Sequence, residues 1–272
     1  MEKMPENIKK DVVDPTTSSP LPENLHLTKV KDLNIDTGSE VKHFQIFEEA
    51  LTKEKYFSRK ENSSYEYFIT LLSKGILHVS DIIRKEDALY SREMPVSNIE
   101  NASSEEEKKS EIFLLSFLFN DKDHIPEAKA NFREENNTFV HFDYDAAFSW
   151  KQDGKPVYAD NVPDPEQIKK ELELLFNKQW YPSHLRNKQE IIENEKSLKR
   201  DTFKEILLQK TDQFIDRLSD ESFFDAIIKK SNINLLDEKF SFLTGASNEE
   251  KSIELRNLMM QRLINLKEAL SK

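Results

Sequence analysis

Residues 113–150 read FLLSFLFNDKDHIPEAKANFREENNTFVHFDYDAAFSW. An apolar run, Phe113–Phe119, leads into a loop with Asp121, Asp123 and His124. Two short strands follow, joined by the polar turn Glu134-Glu135-Asn136-Asn137, and Asp143 and Asp145 end the second strand. Phe139, Phe142, Ala146, Ala147 and Phe148 surround that acidic pair. Carboxylates among apolar neighbours are costly unless paired or metal-bound, which sets the pair apart from an ordinary solvated turn. One hairpin thus delivers two acidic loops side by side. Metal-assisted phosphoryl transfer has this requirement: one carboxylate orients a hydroxyl and another holds a divalent ion on the transferred phosphate. Taken alone, Asp121, Asp123 and His124 also fit a helix C-terminal loop with solubilising charges, and His124 reads as a packing residue.

Before this stretch the chain is rich in strands. Residues 1–25 are polar and rich in Pro, Ser and Thr, and read as a flexible leader. Alternation on either side of Asp36-Thr37-Gly38-Ser39 predicts a hairpin with Gly38 in its turn. Tyr56–Lys60 predicts a further strand. Tyr65–Leu72 has helical spacing behind Asn62-Ser63-Ser64, a capping sequence. Residues 79–94 hold one or two strands. Residues 97–111, SNIENASSEEEKKSE, read as a polar connector or as the exposed start of the helix that continues into Ile112–Phe119.

After Trp150, Lys151–Pro156 reads as a turn, and Pro163-Asp-Pro-Glu opens a helix. The remainder is helical in pattern. Phe203, Ile206, Leu207, Lys210, Phe214, Ile215 and Leu218 share one face. Leu255, Leu258, Met259, Arg262, Leu263, Leu266 and Leu270 form a second stripe. The resulting class is α+β: a small strand-rich first part, a carboxylate hairpin, and a helical second part.

The chain has 272 residues, 37% hydrophobic, with Phe used 18 times, so a substantial core is expected despite 33% charged residues. Without cysteine, disulfides and thiolate metal sites are excluded, and the histidine spacings exclude the usual zinc motifs. Net charge is −11 and concentrated early: residues 1–150 carry 19 basic against 29 acidic groups, residues 151–272 carry 21 against 22. An acidic first half argues against a nucleic-acid partner. Four glycines cannot form a dinucleotide-binding or Walker-type loop. No apolar run reaches the roughly 18–20 residues of a transmembrane helix, and the start lacks a signal-peptide core, so a protein that is soluble, or exported by a route needing no Sec signal, is expected.

The order of elements, with NDKDH, a strand pair and then FDYDAAFSW, resembles the atypical branch of the protein kinase superfamily. It looks closest to the kinase-like effectors of Legionella and related intracellular bacteria, which are similar to phosphatidylinositol-kinase-like and HipA-like enzymes. The resemblance implies a two-lobed, protein-kinase-like fold: a reduced N-lobe over residues 26–96, and a helical C-lobe over 97–272 with its catalytic and metal loops at 120–150. It implies ATP and Mg²⁺ or Mn²⁺ as cofactors. By the same resemblance Asp123, seconded by Asp121, orients the substrate hydroxyl, and Asp143 binds the metal. Asn131 is its companion ligand, because Ala128 stands where the family places Asn; the loop is then about three residues longer than usual. Lys60 would contact the nucleotide phosphates with Glu66 as its partner, although Arg59 or Lys55 could serve as well. Ala88–Met94 would hold the adenine, Met94 at the hinge.

The substrate implied is a protein Ser/Thr hydroxyl in a host cell into which the protein is delivered. Two rivals stand beside it: a pseudokinase interaction module, and a lipid or inositol-phosphate kinase on the same fold. The segment 184–210 bears on the second rival. It holds seven Lys/Arg, among them Arg186, Lys188, Lys199 and Arg200, with five acids interleaved. A charged helix face with i,i+4 pairs is the favoured reading. The sharper one is a pocket for an inositol phosphate, an anionic lipid headgroup or a host polyphosphate activator.

Overall fold

A computed structural model describes residues 26–36, 41–59, 64–80, 82–85, 88–92, 99, 102–120, 132–135, 138–142, 144, 147–152, 155–158, 161–176 and 198–271. Strands β1 (Leu27–Asp36), β2 (Val41–Glu49), β3 (Lys55–Arg59), β4 (Ile82–Lys85) and β5 (Ala88–Arg92) form one antiparallel sheet. Its order is β1-β2-β3-β5-β4. Helix α1 (Ser64–Ser73) follows β3 in the chain and precedes β4. The register is fixed by aromatic and β-branched pairs such as Phe47 opposite Tyr56 and Ile83 opposite Tyr90. Phe47 and Tyr90 meet edge to face at 5.2 Å.

Helix α2 (Glu105–Leu118) is started by Ser104, whose side chain accepts a hydrogen bond from the Glu107 N–H at 3.0 Å. Glu105, Glu106 and Glu107 in its first turn complement the helix dipole. Strands β6 (Phe132–Glu135) and β7 (Thr138–His141) pair as a hairpin, with Phe132 opposite His141. The turn is narrower than the sequence suggests, since Glu134 and Glu135 belong to β6. Beyond Trp150 the expected bare turn is instead a second hairpin, β8 (Ser149–Gln152) with β9 (Lys155–Tyr158). The start of α2 differs too. Of the two readings of 97–111, residues from Glu105 do begin the helix, but Lys109, Ser110 and Glu111 are buried where the sequence reads an exposed start.

The rest of the described chain is helical: α3 (Pro165–Phe176), α4 (Arg200–Ser219), α5 (Glu221–Ser231), a 3-10 turn (Glu238–Phe240) and α6 (Asn248–Ser271). Asp164 and Gln167 exchange side chain–backbone bonds of 2.8 and 2.9 Å, a reciprocal cap that leaves Pro165 at the first helical position. Ser247 and Glu250 cap α6 in the same way. Gly75, at φ +79°, makes the left-handed turn that takes the chain out of α1. Among the described residues no helix is long and apolar enough to cross a membrane.

Three arginines tie this assembly together at helix C-termini. Arg217 of α4 donates to the Leu72 carbonyl of α1 at 2.6 Å. Arg262 of α6 donates to Leu118 of α2 at 2.9 Å, and Arg84 of β4 to Ser231 of α5 at 2.6 Å. Carbonyls at a helix end have no partner within the helix and carry its negative dipole end, so a guanidinium satisfies both needs at once. Burial pushes the Arg217 pKa down to about 10.

The main core spans α1, α2 and the C-terminal helices. Phe148 lies at its centre, its ring 5.1 Å from Phe240, 5.8 Å from Phe119 and 6.1 Å from Phe68. Its φ of +65° is a conformation that a bulky side chain adopts only when packing holds it there. Phe148→Ala is expected to lower the unfolding free energy by about 3–5 kcal/mol, read as a shift in the urea midpoint at unchanged slope.

Candidate functional site

Most of the residues expected to carry chemistry lie outside the described part of the chain: Lys60, Met94, Asp121, Asp123, Asn131, Asp143, Arg186 and Lys188. The same holds for Gly38. Three expected residues can be placed. Glu66 is buried on α1. Lys199 immediately precedes α4, and its backbone N–H donates to Glu106 at 3.1 Å, which holds that carboxyl below its ordinary range. Arg200 pairs with Glu173 at 3.2 Å and lies over the Phe176 ring at 4.8 Å. Lys199 and Arg200 thus meet α2 and α3, a pattern closer to charged-face pairing than to a converging anion pocket.

The cluster that sequence reasoning missed is centred on Glu111. Helix α2 carries this carboxylate into the core, where it is fully buried. His78, between α1 and β4, places its Nδ1 2.8 Å from Glu111 Oε1, and its backbone N–H donates to Oε2 at 2.8 Å. Lys210 of α4 donates to Oε1 at 2.7 Å, to Glu107 at 3.1 Å and to the Ile76 carbonyl at 2.8 Å. His141, the last residue of β7, brings Nε2 to 3.5 Å from Oε2, an electrostatic contact at the outer edge of hydrogen-bonding range. The Ser103 hydroxyl lies 3.3 Å from His78 Nε2.

A carboxylate only accepts, so the His78 ring donates to Glu111 from Nδ1. Burial pushes the Glu111 carboxyl upward in pKa, but the contacts with His141 and His78 and the Lys210 charge outweigh it. The group stays far below the ordinary carboxylate range. The sequence signal existed in part: Lys210 stands on the apolar stripe of α4, and a lysine there must find an internal partner. Nothing local marked Glu111, which sits in a run of surface-like charges.

The network also joins chain segments. The His141 N–H donates to the His78 carbonyl at 2.7 Å, and the Ser80 N–H donates to the His141 carbonyl at 2.9 Å. Val79 and His141 thereby form a parallel bridge between the α1–β4 link and β7. Two residues past β7 stands Asp143. On its far side Tyr144 is buried, with its hydroxyl 3.3 Å from the His141 carbonyl, and the Phe148 N–H donates to Phe119 at 2.6 Å.

Three chemical uses of the cluster can be weighed. Ligand atoms of His78, Glu107 and Glu111 lie within 4.8 Å of one another, a spacing that could suit a metal ion. The Lys210 ammonium already supplies positive charge to both carboxylates, and a divalent ion would have to displace it. Ser103, His78 and Glu111 stand in the serial order of a nucleophilic triad. The imidazole is buried against the Phe139 ring, 4.8 Å away, which denies a substrate access to it. What remains is an internal ion-pair and hydrogen-bond network. Among the described residues two cavities lie elsewhere, one lined by Phe117, Asn120 and Arg262, the other by Tyr65 and Lys239. Each measures about 190 Å³, below the roughly 300 Å³ at which small-molecule pockets begin.

A scan against protein-family models, a search of curated proteins and a search of solved structures each find no match to this chain.

Glu111→Gln leaves the Lys210 ammonium short of a partner and should cost about 3–5 kcal/mol, whereas Glu111→Gln with Lys210→Met should cost less. A carboxyl whose folded pKa is depressed stabilises the fold fully above its unfolded value, near 4.5, and progressively less as pH falls toward the folded value. Denaturant unfolding from pH 7 to pH 3 should therefore show a steeper loss below about pH 4.5 in the wild type than in the double variant.

Proposed function

We propose that this chain is an atypical protein-kinase-like phosphotransferase that moves the γ-phosphoryl group of ATP to a protein Ser/Thr hydroxyl. The observation that carries the reading is the topology around the carboxylate hairpin. A five-stranded antiparallel sheet has a helix between its third and fourth strands in the chain; a further helix follows, then a hairpin that ends two residues before Asp143. In protein kinases the phosphate-contacting lysine lies on the third strand, its glutamate partner on the next helix, and the metal-binding Asp beyond the catalytic loop. Here Lys60 directly follows β3, and Glu66 is buried on the next helix. Phe132 and His141 are partners at the open end of the β6–β7 hairpin, so the segments that lead to Asn131 and Asp143 leave from the same end.

In this reading Asp123, with Asp121 beside it, orients the attacking hydroxyl. Lys60, paired with Glu66, neutralises phosphate charge as a compact ammonium, and Met94 closes the adenine side. Asp143 and Asn131 would hold Mg²⁺ or Mn²⁺, since a carboxylate with a carboxamide oxygen is a hard-ligand set suited to either ion. When bound, the ion neutralises the charge of the transferred phosphate. The bond from the leaving phosphate oxygen to the γ-phosphorus breaks as the hydroxyl oxygen bonds to it, with Asp123 accepting the hydroxyl proton. Delivery into a host cell belongs to the same reading, because it rests on the same resemblance.

Mn²⁺–ATP should raise the melting temperature of the wild type, and a radiolabel assay should detect transfer to a generic protein substrate. Asp143→Ala should abolish the thermal shift. Asp123→Ala should keep the shift and lose turnover by several orders of magnitude. Binding without transfer in the wild type would make the chain a nucleotide-binding scaffold, and transfer to phosphoinositides in preference to protein would make it a lipid kinase.

A further inference from the structure

We propose that Ser103 is an activated nucleophile that captures one acyl group from an activated acyl donor, with His78 as the base that takes its proton. The Ser103 hydroxyl lies 3.3 Å from His78 Nε2, at the long end of the range for a nucleophile and its base. His78 Nδ1 stands 2.8 Å from Glu111 Oε1. Because the carboxylate only accepts, the ring donates there and leaves Nε2 as the acceptor that faces Ser103. The His78 backbone N–H bonds to Glu111 Oε2 at 2.8 Å, so one carboxylate fixes both the ring and the residue that carries it. None of these three residues belongs to the phosphotransfer set.

The three groups differ in exposure, and that difference decides the chemistry. His78 and Glu111 are fully buried, whereas Ser103 is partly exposed and directly precedes the N-cap of α2. A donor can therefore reach the serine oxygen but not the imidazole. In a hydrolase the imidazole also protonates the leaving group and then activates water against the acyl-enzyme. Burial withholds both of those steps from His78. A donor whose leaving group departs as an anion, such as an acyl phosphate, a thioester or an aryl ester, needs neither of them for the first transfer. The Ser103 oxygen bonds to the acyl carbon, the bond from that carbon to the leaving group breaks with its electron pair, and the hydroxyl proton passes to His78 Nε2. The imidazolium so formed is balanced by the Glu111 carboxylate. The product is a lasting acyl-serine, formed once per chain. Glu105, Glu106 and Glu107 in the adjacent first turn favour a neutral acyl group over a phosphoryl group, whose charge they oppose.

The test is reaction of the full chain with p-nitrophenyl acetate, followed by p-nitrophenolate absorbance, intact mass and peptide mapping. The wild type should release one equivalent of p-nitrophenolate in a burst and gain an acetyl group on Ser103, with no Ser103-dependent turnover afterwards. Ser103→Ala should lose the burst. His78→Asn, whose amide keeps a donor near the place of Nδ1, removes the base and should acetylate Ser103 about 100-fold more slowly. Ser104→Ala is the control: it removes the cap bonded to the Glu107 N–H at 3.0 Å and should leave the burst unchanged. If His78→Asn does not fold, the wild type in denaturing urea takes its place, and acetylation of Ser103 should disappear there, since an unassisted serine is a weak nucleophile. Acetylation that bypasses Ser103, or an undiminished rate at Ser103 in His78→Asn or in urea, overturns the proposal. Sustained turnover that depends on Ser103 overturns the single capture.

Discussion

A single buried carboxylate, that of Glu111, fixes how four separate pieces of the chain meet. Removing a charge from water is tolerable only where it is paired and hydrogen-bonded, and Glu111 finds its partners in three other segments. His78 comes from the link after α1, His141 from the end of β7, and Lys210 from the middle of α4. Each partner is itself buried, so none can be satisfied by solvent if the arrangement shifts. The same low-dielectric setting that strengthens the pairing makes any alternative packing expensive. Such a network adds less net stability than a count of its bonds suggests; it selects one arrangement over the others.

Around that centre, long-range caps do the rest. Arg84, Arg217 and Arg262 each end a helix that belongs to a different part of the sequence, at separations from 144 to 147 residues. A helix C-terminus inside a core needs a donor, and here the donor comes from a distant element, so local helix formation and global packing depend on each other.

Much of the secondary structure was legible along the chain. The β1–β2 hairpin followed from alternation about a glycine-containing turn, and α1 and α6 from stripes of apolar residues at helical spacing. The β8–β9 hairpin was not legible: Trp150 and Val157 give too short an alternating pattern to stand out beside the turn they enclose. The first turns of α2 also misled. Its sequence, EEEKKSE, is that of a solvated face, yet Lys109 and Glu111 are buried, Glu111 because α4 and the α1–β4 link close over it. No local pattern can signal a burial imposed by elements 33 to 99 residues away.

The amino-acid sequence alone determined the class, a strand-rich first part followed by helices, because periodicity and turn chemistry act over a few residues and are written locally. It also singled out the Asp121–Asp145 region, since acids set among phenylalanines are unusual in any context. Only the tertiary structure decided the strand order of the sheet, the helix that each arginine caps, and the convergence of His78, His141 and Lys210 on Glu111. Those outcomes depend on which distant groups share a desolvated space, and the pairing of buried charge settles them after the local elements have formed.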